Sequence, residues 1–101
     1  MPLPMTMLTW LPQALEDLER LHRFLVELSP DAAARAARAI LAGAEALIEH
    51  PYQGRPLDGG RREWFIPYGV GAYVLRYRID PGGTVVVIRV WHSREDRSQN
   101  C

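Results

Sequence analysis

Tyr73-Val74-Leu75-Arg76-Tyr77-Arg78-Ile79-Asp80-Pro81-Gly82-Gly83-Thr84-Val85-Val86-Val87-Ile88-Arg89-Val90-Trp91 is the stretch that decides the fold. From Tyr73 to Ile79 the residues alternate. Tyr73, Leu75, Tyr77 and Ile79 share one face, and Val74, Arg76 and Arg78 share the other, which is the period of a strand with one buried side. Asp80-Pro81-Gly82-Gly83 is a strong hairpin turn. Thr84 to Trp91 is then the returning strand. Simple alternation puts Val86, Ile88 and Val90 on one face, and Val85, Val87, Arg89 and Trp91 on the other. Arg76, Arg78, Arg89 and Trp91 are therefore expected on the sheet face turned away from the covering layer.

Upstream, Trp64 to Tyr68 is a third strand candidate, joined to Tyr73 by a turn at Gly69-Val70-Gly71. Pro67 places that strand toward an edge or a bulge, since proline donates no ladder bond. Tyr52 to Gly60 reads as a loop. Before it lie two helical patterns. Leu11, Leu15, Leu18, Leu21, Leu25 and Leu28 recur at spacings of four and three, one helical stripe, with Pro12 in the first turn, where proline is tolerated. Ser29-Pro30 reads as an N-cap followed by proline at the first helical position. The helix after it presents Ala33, Ala36, Ala37, Ile40, Ala44, Leu47 and Ile48, and stops at Pro51. So few residues between the two patterns force an antiparallel helical hairpin. Leu8-Thr9-Trp10 is a short β-prone start. The expected architecture is α+β: a short N-terminal strand, the hairpin, then a three-stranded antiparallel meander with the helices on one sheet face. One domain spans 8–97, between tails at 1–7 and 98–101.

Composition sets the outer bounds. The chain has 101 residues, 48% hydrophobic and 24% charged, an ordinary globular balance. No apolar run approaches the roughly 20 residues of a membrane span. Twelve basic residues, all arginine, balance twelve acidic ones. This is not the strongly basic footprint of a protein that coats nucleic acid. The only cysteine is Cys101, so no disulfide staples the fold. Met1 to Met7 lacks the charged and apolar regions of a secretory signal. The expectation is a cytoplasmic protein whose translation starts at Met1, Met5 or Met7. The histidines are scattered and have no metal-ligand spacing, and no glycine pattern leads from a strand into a helix as a phosphate loop does. No cofactor or metal is expected.

Four elements in order resemble the RelE/ParE family of bacterial type II toxin–antitoxin toxins, and its ParE-like branch more closely. They are Trp10-x-Pro12-x-Ala14-x-x-Asp17-Leu18; His50-Pro51-x-x-Gly54-Arg55-Pro56; Arg62-Glu63-Trp64-x-x-x-Tyr68-Gly69-x-x-x-Tyr73-Val74-Leu75-x-Tyr77-Arg78; and Val87-x-Arg89-Val90-x-His92-x-Arg94. The resemblance covers Leu8 to Arg97 and implies a toxin held inactive by a cognate antitoxin, in a hetero-oligomer. Its ParE-like branch implies inhibition of DNA gyrase. Its RelE-like branch implies ribosome-dependent cleavage of mRNA, and a non-toxic antitoxin-binding module is a third alternative.

The two toxin chemistries make different demands. Cleavage through the 2′-hydroxyl needs a base, an acid and a cation at the developing charge. The RelE-like pattern implies lysines on the second strand, an arginine on the third and a tyrosine near the C-terminus. Here Phe65 and Pro67 stand at the lysine positions, Val74 stands at the arginine position, and no tyrosine follows Arg94. A nuclease site would have to use Arg76, His92 and Arg94. Gyrase inhibition therefore ranks first. Arg76, Arg78, Arg89, Trp91 and Arg94 are the candidate residues for antitoxin or target, and the antitoxin segment is expected to cross the helical hairpin and the Arg-rich face. Arg55 is expected to pair with a carboxylate and pin its loop ahead of contacting a partner, Arg61 and Arg62 to form a solvated cluster with Glu63, and His92 to sit at a strand end bonded to a loop ahead of acting as a proton shuttle.

Overall fold

The computed structural model describes residues 8–95. The tails expected at 1–7 and 98–101, and the candidate start codons, lie outside those residues. The order is β1 (Leu8–Trp10), α1 (Pro12–Leu28), α2 (Pro30–Glu49), β2 (Arg55–Pro56), a 3₁₀ turn at Asp58–Gly60, β3 (Arg61–Tyr68), β4 (Gly71–Ile79) and β5 (Val85–His92). The α+β expectation holds, with two additions. β1 pairs parallel to β5, and β2 pairs antiparallel to the start of β3, so the meander becomes a mixed five-stranded sheet ordered β1-β5-β4-β3-β2.

The hairpin of helices forms as its end signals predict. Pro12 opens α1. Ser29 alone separates the helices, and its Oγ accepts from the Ala32 N–H at 3.2 Å, capping α2. α1 packs on α2 and along β5, and α2 packs on β3. The alanines Ala33, Ala36 and Ala44 are buried beside Ile40 and Leu47, as read from the pattern. Gly43 lets α2 approach the sheet, because a Cβ there would run into the Ile66 side chain.

The leucine stripe of α1 is only partly inward. Leu21 is buried, but Leu15 and Leu28 are 47% and 70% exposed. The buried line is Ala14, Asp17 and Leu21, at spacings of three and four. It is rotated from the leucines by a carboxylate that the sheet needs.

The β4–β5 hairpin carries the main correction. Residues pair in step from Tyr73–His92 to Arg76–Arg89, then the register slips, and Tyr77 faces Val87. Ile88 is the extra residue of a β-bulge, which resets the alternation. Val85 and Val87 therefore join Val90 in the core with Leu75 and Tyr77, rather than lying on the opposite face. β1 pairs with β5 only at Val85 to Val87. Pro67 does lie on an edge, because β2 reaches β3 only at Arg62 and Glu63.

Candidate functional site

Two buried carboxylates organise the arginines. Asp17 is 2% exposed. One oxygen accepts from the Val90 N–H at 2.8 Å and from Arg89 Nε at 2.8 Å. The other accepts from Arg89 Nη2 at 3.1 Å and Arg20 Nη1 at 2.6 Å. Burial pushes the Asp17 carboxyl up, but Arg89, the Val90 amide and Arg20 together hold it below its ordinary value. It satisfies a β5 amide beyond the end of β1 and ties α1 to that edge.

Glu63, on β3, is the second. One oxygen takes Arg76 Nη2 at 2.7 Å and the other takes Arg55 Nη2 at 2.9 Å. Here too burial raises the carboxyl, and Arg76 and Arg55 more than reverse it. The Arg76 guanidinium also lies 5.0 Å over the Trp91 ring, a cation–π contact. Arg55 pins its loop as expected. The Arg61–Arg62–Glu63 group is not a solvated cluster: Glu63 is buried, and Arg62 Nη1 donates to the carbonyls of Tyr52 and Gly54 at 3.0 and 2.8 Å. Tyr77 completes this clamp, its hydroxyl donating to Pro51 O at 2.7 Å and accepting from the Gly54 N–H at 2.9 Å. A Cβ at Gly54 would clash with that hydroxyl, which is why glycine stands there.

The four residues assigned to one open face thus part company. Arg76 and Trp91 stack on it, but Trp91 is only 5% exposed. Arg78 pairs with Asp80 at the hairpin end, 2.7 Å apart. Arg89 lies opposite Arg76 in register, yet its guanidinium reaches α1.

His92 and Arg94 lie elsewhere, on the rim of a groove of about 570 Å³ between α1, the β3–β4 turn and the exit of β5. Phe24 and Val70 face this groove and are 66% and 81% exposed. Tyr68 and Tyr73 line it too, and the His92 ring meets Tyr73 edge-on at 5.1 Å. His92 Nδ1 accepts from the Arg94 N–H at 3.1 Å, the loop bond expected of it. Glu95 closes one end: its oxygens take Arg20 Nε and Nη2, both at 3.1 Å, and the His92 N–H at 2.9 Å. A second groove of about 410 Å³ runs between the helices, from Leu18 and Leu25 to Ala37 and Leu41.

Sequence reasoning missed Asp17, Glu63, Arg20 and Glu95. Asp17 had a visible signal, a carboxylate at helical spacing between Ala14 and Leu21. Glu95 had none, because only the folded chain brings it to Arg20, seventy-five positions away. Among the described residues no group of three or more His, Cys, Asp or Glu could hold a metal ion, and no helix is long and apolar enough to cross a membrane.

The surface is one of apolar grooves with arginine rims. Residues 8–97 match the family model described as the ParE toxin of the type II toxin–antitoxin system parDE. Toxin RelE3 of Caulobacter vibrioides is 42% identical over 86 residues, covering 85% of this chain and 92% of that protein. Toxin RelE1 of the same organism is 44% identical over 85 residues, covering 84% and 90%. A solved structure described as the chromosomal ParDE TA system from P. aeruginosa superimposes with a TM-score of 0.70 at 24% identity, covering 86% of this chain and 95% of that one. The last supports the fold. The family model and the two relatives, each matched over most of its length, establish that this chain belongs to the ParE toxin family of type II toxin–antitoxin systems.

Proposed function

We propose that this toxin inhibits DNA gyrase through a protein–protein surface and is neutralised by a cognate antitoxin. The observation that carries the reading is the state of the arginines. Arg76, Arg78 and Arg89 are each committed to a carboxylate of the fold, at 2.7, 2.7 and 2.8 Å. A phosphoryl-transfer site needs cations free to meet developing charge. The exposed surface also carries large apolar side chains, Leu15, Phe24, Leu41 and Val70. Phe24 and Val70 share one groove, and exposed apolar side chains gathered in a groove mark protein interaction. The groove between the helices suits the apolar side of a segment that folds on binding, and Arg94, on the rim of the other groove, suits its acidic residues.

The test is a gyrase supercoiling assay with purified toxin, with and without ATP, scored for inhibition and for stabilised DNA breaks. Inhibition that added antitoxin reverses is the expected result. Toxin that is folded by circular dichroism yet leaves gyrase untouched would end this reading. A second reading, ribosome-dependent mRNA cleavage, draws on His92 and Arg94 sharing one rim and on relatives that carry the RelE name. It expects cut transcripts in the presence of ribosomes, abolished by His92→Ala.

A further inference from the structure

The end of the aromatic groove is a carboxylate receptor that the chain fills with its own side chain. Arg20 presents Nε and Nη2 side by side, the fork that matches a carboxylate in bidentate fashion, and the His92 N–H adds a third donor. Glu95 occupies it from a turn just after β5, held by one backbone bond from its own N–H to His92 O at 2.9 Å. The side chains of this pair are 38% and 31% exposed, so an incoming carboxylate can reach the fork, and swapping one carboxylate for another remakes the same bidentate bonds. Exchange for another carboxylate is therefore cheap. Beside the receptor, Phe24 and Val70 face solvent across the groove. Arg94, on the same rim, makes no ion pair among the described residues and adds a cation beside the Arg20 fork.

We propose that Glu95 is a placeholder. A carboxylate of the bound antitoxin displaces it from Arg20 and the His92 N–H, while an apolar side chain next to that carboxylate fills the groove between Phe24 and Val70. This rests on the antitoxin reading above. The occupant is an acidic, apolar protein segment rather than a nucleic acid, because the groove walls are mainly aromatic and aliphatic and the chain carries no net positive charge.

The experiment measures binding of the fluorescein-labelled cognate antitoxin to wild-type toxin and to Val70→Asp, Phe24→Asp and Glu95→Ala. Val70 and Phe24 are exposed, so the folded state tolerates both changes, and thermal melts check it. Val70→Asp and Phe24→Asp are expected to weaken binding at least tenfold. Glu95→Ala is expected to tighten it threefold or more by vacating the receptor. Binding of the two Asp variants within twofold of wild type overturns the proposal, as does a tenfold loss in Glu95→Ala with an unchanged melting temperature. A toxin that self-associates through this groove, shown by sedimentation of wild type against Val70→Asp, also overturns it. No binding by wild-type toxin overturns the antitoxin reading itself and the proposal with it, a result distinct from the groove failing alone.

Discussion

Asp17 and Glu63 are buried carboxylates that each hold two arginines, and single residues of this kind decide the stability of so small a chain. Replacing Asp17 by Ala leaves Arg89 without its counter-charge and the Val90 N–H without its acceptor. Removing one partner of a buried pair costs about 3–5 kcal/mol. With roughly 4–8 °C of melting temperature per kcal/mol in a domain this size, Asp17→Ala is expected to melt at least about 12 °C lower. Both carboxyls sit lower in the folded chain than when unfolded. The unfolded chain therefore binds more protons in the acid range, and stability rises with pH there. The contribution is complete above the unfolded carboxyl values, about 4, and disappears as pH falls through the lowered folded values. Urea midpoints are expected to drop below pH 4, and Asp17→Asn is expected to flatten that drop. An equally steep acid loss in Asp17→Asn would show that Asp17 does not carry it. Tyr77 gives the neutral counterpart. Tyr77→Phe strands the Gly54 N–H and the Pro51 carbonyl, at about 1–3 kcal/mol for a buried polar group left unmade, and faster amide exchange at Gly54 reports it.

At the scale of elements, end signals were more legible than faces. Pro12, Ser29-Pro30 and Pro51 marked the helix ends, because proline and serine act on backbone bonds within a few residues. Asp80 to Gly83 marked the hairpin for the same reason, and Gly82 and Gly83 both take φ of 95°. Ser29→Ala tests one such signal. It removes the acceptor for the Ala32 N–H and is expected to cost about 1 kcal/mol, read as a fall of several degrees in melting temperature. No change would mean that α2 draws its stability from packing alone. Faces were harder because they depend on partners distant in sequence. The leucine stripe of α1 misled because Asp17 had to reach Val90, and that need rotates the helix. The β5 alternation misled because one bulged residue, Ile88, reverses parity for everything before it. The parallel pairing of β1 with β5 had no local signature in three residues. For the candidate site, His92 does end β5 and Arg94 lies in the turn after it. It could not see that Phe24, from the middle of α1, and Val70, from a turn, face the same groove.

Over the whole molecule, charge and apolar surface point to one kind of partner. Twelve arginines meet twelve acids, and Arg76, Arg78 and Arg89 on the sheet are paired within the fold. A toxin gripped mainly through apolar grooves should bind its antitoxin with weak dependence on salt, since only rim charges are screened. A protein that docks by neutralising 6–10 phosphates instead loses about 10³–10⁵ in affinity between 50 and 200 mM salt. The expected antitoxin affinity therefore changes by less than about tenfold over that range. The same measurement on any nucleic-acid complex of the toxin provides the contrast. A loss of a thousandfold for the antitoxin would mean that arginine–carboxylate contacts, rather than Phe24, Val70 and the hairpin groove, supply the binding. Coupling to stability follows from the same surface. A partner that binds only the folded toxin, present at a hundred times its Kd, adds about 2.7 kcal/mol, or roughly 11–22 °C at 4–8 °C per kcal/mol. If the exposed Phe24 and Val70 are what the antitoxin covers, a tenfold loss of affinity in Val70→Asp should remove about half of that rise while leaving the melting temperature of the free toxin nearly where it was. That pair of melts separates a surface made for a partner from one that merely holds the fold.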